Sequence, residues 1–383
     1  MLPLLYILDK PIQNNLPYRL MAKQADIAST VIYIQSSSAK KSIESINEAV
    51  TKVTLSNDYS YHFLPESMFK RFFELVKYIW KTNVLVVYGY FNVWQRVAII
   101  LAKIFGKKLI LTSDATYLQG TYESAGWKLK LKPFLQRFLY NTIAHGLWVP
   151  SKASLQYHQS IGVHAQQLAI TPYVVDEEMI QSVSAATDKR QFRVEQGIPV
   201  YATVFIFCAK FIDRKRPLDV INAFAELVKR NYETRLIMIG DGPLRQSLVV
   251  KANELGVNEQ VLFPGLVQYS DLPKWYTASD VLVFSSEHEP YGLPVNEAML
   301  CGIPVIVSNR IGARLDLVVE GETGWIYPVG NTASLADCMH EAIDNNEARV
   351  QMGVAAKAKM ASWSSQTNVQ AQVDFFKQKG WLH

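Results

Sequence analysis

The chain has 383 residues, 49% hydrophobic and 19% charged, which is enough apolar material for two cores and excludes a disordered or fibrous polypeptide. No apolar run is long enough to span a bilayer. Three scattered cysteines, Cys208, Cys301 and Cys338, suggest a reducing compartment and argue against a disulfide framework or a metal cluster. The net charge of +5 is uneven: residues 1–185 carry 19 Lys/Arg against 12 Asp/Glu, and the remainder 20 against 22. A basic first half suits an anionic membrane surface or an acidic acceptor. No nucleic-acid reading module is present in the sequence.

The opening "MLPLLYILDK" has no basic leader or small-residue cleavage site, and Asp9 interrupts it. It reads as the first buried strand of a cytoplasmic protein. Further strands are expected at "TVIYI", "VLVVYG", "KLILTS", "GLWVPS" and "LAITPY". Helical periods lie between them: Met68, Phe69, Phe72, Phe73, Val76, Ile79 and Trp80; then Trp94 to Phe105; then Phe134, Leu135, Phe138 and Leu139. Each predicts one buried face. The stretch "VVDEEMIQSVSAATDKRQ" has no strand pattern and reads as a linker, with a boundary near Gln181.

The second half repeats the alternation. Strands are expected at "YATVFIFCA", "TRLIMIG", "QVLFPG", "VLVFSS" and "PVIVSN", and helices at Pro217–Lys229, Leu244–Glu254, Leu272–Ser279, Pro294–Cys301 and Thr332–Asn345. Such alternation predicts α/β architecture: two doubly wound, Rossmann-like domains, residues 1–181 and 182–362, facing a central cleft. A helical tail at about 363–383 is a candidate to pack back onto the first domain.

Three segments carry chemistry. "SSEHEPYGLPVNEAMLCGIPVIVS" places Glu289 and Glu297 eight residues apart around Tyr291-Gly292-Leu293-Pro294. Gly292 permits a tight turn, and Pro294 suits a first helical position. The open amides of Leu293, Val295 and Asn296 then form an anion site that fits a diphosphate. Glu297 is expected in the first turn of that helix, with Glu289 on the loop. In "FIFCAKFIDRKRPLDVINAF", Lys210 ends a strand and Lys215 follows in the next loop, two cations suited to a diphosphate. Arg214 and Arg216 read as a solvated flank. In "IMIGDGPLRQSL", Gly240 and Gly242 read first as a structural turn and second as a turn near the ligand, since position 245 is Arg and the dinucleotide fingerprint is absent. No D-x-D occurs, so no metal is expected at the sugar diphosphate, and no second His stands at ligand spacing with His288.

"EPYGLPVNEAM" resembles the E-x7-E signature of family 4 retaining glycosyltransferases of the GT-B architecture, and "CGIPVIVSNRIGARLDLVVEGETGWIYPVGN" continues the likeness. "CAKFIDRKRPLD" is similar to the family's G-R-x-x-x-x-K element, with Ala209-Lys210 in place of Gly-Arg. "FPGLV" is similar to the strand whose backbone contacts the base. The resemblance covers residues 200–345 best. It implies that Lys210 and Lys215 hold the diphosphate, that Glu297 binds ribose, and that Glu289 contacts the transferred sugar. It implies further donor contacts from Leu266, Val267, Tyr291, Gly292, Leu293 and Val295. Glu289, Lys215 and Lys210 are the implied catalytic set, with no metal and no cofactor beyond the nucleotide-sugar donor.

The first half has "DKPIQNNLPYRLMA" where many members carry a glycine pair. It looks like a subgroup with H-P-I-Q…P…R, with Lys10 at the usual His. Acceptor contacts would come from the loop Lys10–Pro17, including Asn14, and from Asp114, which either orients an acceptor hydroxyl or caps a turn. The implied acceptor is a glycan or lipid-linked molecule of polysaccharide or lipopolysaccharide synthesis. The basic-aromatic stretch "WKLKLKPFLQRFLY" either docks peripherally on an anionic membrane or turns its stripe to the sheet. A non-catalytic sugar-nucleotide or glycan-binding subunit, a nucleotide-sugar epimerase or inverting transferase of the same fold, and a nicotinamide dehydrogenase remain rival readings.

Overall fold

The computed structural model describes residues 1–9, 15–35, 57–116, 127–230 and 232–382, with 127–130 as backbone only. Asn14 and most of the loop Lys10–Pro17 lie outside the described residues. Two compact units emerge. The first holds the described residues up to Val174 together with those from Ser364 onward, and the second is Val175–Trp363.

The first unit is a seven-stranded parallel sheet built from β1 (Leu2–Leu8), β2 (Ile27–Tyr33), β3 (Ser60–Phe63), β4 (Val84–Tyr88), β5 (Lys108–Thr112), β6 (Gly146–Val149) and β7 (Leu168–Ile170). Their order is β3-β2-β1-β4-β5-β6-β7. The central strands are aliphatic runs buried on both faces, as a parallel sheet covered by helices requires. β3 was not expected. Its alternating "SYHF" pairs at the sheet edge and shows no continuous apolar run.

The C-terminal helix Ser365–Gln378 packs on this sheet. Tyr6 donates its hydroxyl to Gln372 Oε1 at 2.7 Å, and Phe376 packs against Trp148 with ring centroids 5.6 Å apart. Val369, Val373 and Phe376 share a core with Tyr6, Tyr33 and Val86. On the opposite face, helices Met68–Lys81 and Val93–Ile104 seal a second core.

Two expected buried faces are corrected here. Of the Met68–Trp80 stripe, only Ile79 is fully buried, alongside Leu75; Met68, Phe69, Phe72, Phe73 and Trp80 are exposed. Phe134, Leu135 and Phe138 of helix Trp127–Phe138 are exposed too. Each helix is apolar over a wider arc than the sheet covers.

The second unit is a six-stranded parallel sheet of β8 (Thr203–Cys208), β9 (Thr234–Ile239), β10 (Val261–Gly265), β11 (Val281–Phe284), β12 (Val305–Ser308) and β13 (Gly324–Tyr327), in the order β10-β9-β8-β11-β12-β13. β13 was also not among the expected strands. The linker expectation is corrected as well. Residues Glu177–Ala186 and Lys189–Glu195 are helices, capped by the side chains of Asp176 and Asp188. Ile180 is buried in the second unit's core, and Arg193 is buried against Asp280 at 2.7 Å. The boundary therefore falls at Val174/Val175, before these helices, rather than near Gln181. No helix among the described residues is long and apolar enough to cross a membrane.

Candidate functional site

In the second sheet the strand order reverses between β8 and β11, so their carboxyl ends open a crevice of the kind that binds ligands in doubly wound sheets. The loops leaving these two strands carry the sequence-predicted residues. After β8 the chain passes Lys210, which is exposed, and makes a single 3₁₀ turn at Asp213–Lys215. Arg216 then adopts left-handed geometry (φ 49°, ψ 46°), the sole positive φ among described non-glycine residues. The following Pro217 disfavours the right-handed helical region for its predecessor. Arg216 donates to Asp219 at 2.6 Å, so it is a structural clamp and not the solvated residue expected.

After β11, Ser285 donates its hydroxyl to the Lys215 and Arg216 carbonyls at 2.8 and 3.1 Å, and the Glu287 amide donates to the Arg214 carbonyl at 2.8 Å. The two loops are laced together, and the lacing brings Lys215 Nζ onto Glu289 Oε2 as an ion pair. Side-chain exposures of 13% and 17% keep that pair mostly out of water. Lys215 also lies over the Phe284 ring, 5.1 Å from its centroid. Arg214 is drawn to the same place, donating to the His288 carbonyl at 2.8 Å. Burial, with Arg214 nearby, holds the His288 imidazole below its ordinary value.

The Glu289 loop is held from the other side by the chain after β12. The Gly312 amide donates to the Glu289 carbonyl at 3.0 Å, and the Ala313 amide to the Tyr291 carbonyl at 2.9 Å. A Cβ at Gly312 would overlap the Pro290 carbonyl oxygen. Gly312→Ala is expected to destabilise the second unit by about 2 kcal/mol or more, read as an earlier midpoint in chemical denaturation. An unchanged midpoint would show that the loop relaxes freely.

Gly292 takes φ 109°, a conformation that favours glycine, and the helix begins at Leu293, one residue earlier than expected. Pro294 is therefore its second residue. The Val295 amide is not open; it donates to the Gly292 carbonyl at 3.0 Å. Glu297 consequently sits in the second turn instead of the first. It is 7% exposed and accepts from the Tyr276 hydroxyl at 2.9 Å. Burial pushes its carboxyl up to about 7, while the Tyr276 hydrogen bond pulls the other way. Tyr291 is buried, and its hydroxyl accepts from Asn296 Nδ2 at 3.3 Å.

Leu266 and Val267 follow β10 on the same edge of the sheet, Leu266 exposed and Val267 half-buried. Gly240 and Gly242 let their turn pack on the 209–211 backbone, where Phe211 donates to the Asp241 carbonyl at 2.9 Å. In the first unit, Asp114 leaves β5 and accepts from the Tyr173 hydroxyl at 3.3 Å. Asp9, at the switch between β1 and β4, accepts from Asn92 and Gln35, each at 2.9 Å. Sequence reasoning missed Ser285, Tyr276 and the conformation of Arg216. The serine pair closing "VLVFSS" was the available signal for Ser285.

Residues 188–359 match the model of the family described as glycosyl transferases group 1. The chain superposes on the Anabaena Alr3699/HepE structure in complex with UDP and glucose with a TM-score of 0.72 at 17% identity, covering 98% of this chain and 100% of that one. The chain has the GT-B fold. Within this GT-B chain, a stretch of 170 residues is 31% identical to N-acetyl-alpha-D-glucosaminyl L-malate synthase of Bacillus anthracis, covering 44% of each protein. Another of 212 residues is 31% identical to D-inositol 3-phosphate glycosyltransferase of Corynebacterium efficiens, covering 50% of each. The chain spans about half the length of the relatives it matches.

Proposed function

We propose that the protein transfers a sugar from a nucleotide-diphosphate donor to a polysaccharide or glycolipid acceptor, with retention of anomeric configuration and without a metal ion. The observation that carries this reading is the Lys215–Glu289 pair at the switch point of the second sheet, beside the helix that starts after Gly292. A cation, a carboxylate and a helix N-terminus at one crevice suit a diphosphate joined to a polyol. The family match over 188–359, the names of the two relatives and the UDP and glucose held by the Anabaena neighbour support the same chemistry.

In this reading Lys215 and Lys210 neutralise the diphosphate, and the Leu293 end of the helix receives its oxygens. Glu289 accepts from hydroxyls of the transferred sugar, and Glu297 from the ribose. The backbone at Leu266 and Val267 meets the base, and Asn14 and Asp114 serve the acceptor. The bond from the anomeric carbon to the diphosphate oxygen breaks as the acceptor oxygen attacks the same face. The acceptor proton passes to the departing phosphate oxygen. Lys215 stabilises the charge that builds there.

Calorimetric titration with UDP, GDP, ADP and their sugar conjugates, chelator present, tests the donor site. Saturable binding of one base is expected. Heat from none of them would remove the donor reading, and an inverted anomer in the product NMR spectrum would remove retention.

A further inference from the structure

Among the described residues, the first unit carries an exposed apolar surface. On helix Met68–Lys81, Leu75 and Ile79 form the line that enters the core. Phe69, Phe73 and Trp80 fall on a second line about a third of a turn round, and Lys70, Lys77 and Lys81 on a third line next to it. The three aromatic rings are 73%, 53% and 65% exposed. Phe69 and Phe73 pack edge-on, ring centroids 4.7 Å apart. The neighbouring helix Val93–Ile104 extends the patch. Its inner side shares the same core, while Ile100, Ile104, Arg96 and Lys103 are exposed. Trp80 links the two, edge-on to Phe105 at 5.2 Å and beneath Lys107 Nζ at 5.9 Å.

The charge on this face is predominantly basic. Between Met68 and Lys107 the chain carries seven Lys/Arg and one acid, Glu74, which faces Lys77 at 3.5 Å. Most of the basic excess of the first half therefore falls within this stretch of chain. We propose that this face docks on an anionic lipid bilayer. The rings enter the boundary between headgroups and acyl chains, and the lysines, their stems along the apolar surface, hold lipid phosphates. A second copy fits poorly, because an isologous contact would set like charges against like. Docking uses the first unit alone and is independent of whether the second unit transfers a sugar.

The test is co-sedimentation of the full chain with vesicles of phosphatidylcholine, and of phosphatidylcholine mixed with phosphatidylglycerol, at low and high salt. Binding to the mixed vesicles at low salt is expected, with salt and neutral vesicles each weakening it. The variants Phe69→Ser/Phe73→Ser/Trp80→Ser and Lys70→Glu/Lys77→Glu/Lys81→Glu should each lose affinity at least about tenfold, with unchanged circular dichroism because all six side chains are exposed or at the surface rim. Equal binding to neutral vesicles, or variants that bind like the parent, would overturn the proposal. So would a concentration-dependent dimer in light scattering that the aromatic variant abolishes, which would give the face to a second copy. A failed nucleotide titration leaves this result untouched, so the two readings fail separately.

Discussion

Lys215→Ala is expected to weaken nucleotide-diphosphate binding by roughly 2–4 kcal/mol, about 30- to 1000-fold in Kd, whereas Glu289→Gln is expected not to weaken it. The two side chains form one ion pair, so a purely structural role would make the two substitutions equivalent. A donor site makes them opposite. If the crevice takes a diphosphate as proposed, Glu289 holds the ammonium for which the phosphate must compete. Removing the carboxylate charge frees Lys215 for the ligand. Turnover separates them again: Glu289→Gln should lose at least about a hundredfold in kcat if the carboxylate meets the transferred sugar in the transition state. Both variants leave one charge mostly out of water, so both should lose some stability. Isothermal titration beside a denaturation curve distinguishes the cases. Equal, unchanged Kd values with equal destabilisation would reduce the pair to a structural tie between two loops.

The parts of the fold that were legible in the sequence are those whose burial is complete. β8, β11 and β12 are aliphatic or aromatic runs covered on both faces, and a run of that kind has few alternatives. Helix Pro217–Lys229 was read to the residue, because proline marks its start and its apolar face has one direction to turn. β3 was missed because an edge strand with alternating polar residues looks like a loop. The aromatic stripe at Phe69, Phe73 and Trp80 was misread for a different reason. Periodicity shows that an arc of the helix is apolar, but only the tertiary fold decides which part of the arc meets the sheet.

The site shows the same division. Glu289, Lys215 and Gly292 stand out by residue type and spacing. Their partnership does not, since Lys215 and Glu289 are 74 residues apart and meet only because β8 and β11 are neighbours across the switch point. Ser285 sets that meeting by holding two carbonyls of the facing loop, a role with no sequence signature beyond a hydroxyl at a strand's end. The environment of Glu297 was the least legible, because its hydroxyl partner, Tyr276, lies on a separate helix.

That environment leads to the second large effect. Glu297→Gln is expected to stabilise the protein at pH 8 while weakening its hold on the nucleotide. Burial raises the folded-state carboxyl to about 7 from an ordinary value of 4.5. Between those values the folded state binds more protons than the unfolded state, so stability falls as pH rises through that window and levels off above about 7. The cost of the charged form is roughly 3 kcal/mol at pH 8 and vanishes below the ordinary value. Glutamine removes the titration and keeps an acceptor for the Tyr276 hydroxyl. Denaturation curves at pH 5 and pH 8 should therefore show a gain for the variant that grows with pH. A stability difference independent of pH would mean that Glu297 is solvated in the folded state. Binding should move the other way. If the carboxylate accepts from ribose hydroxyls, its charged form is the better acceptor, and parent affinity should rise as pH passes 7 more steeply than that of the variant. The variant supplies the baseline for the ligand's own phosphate titration.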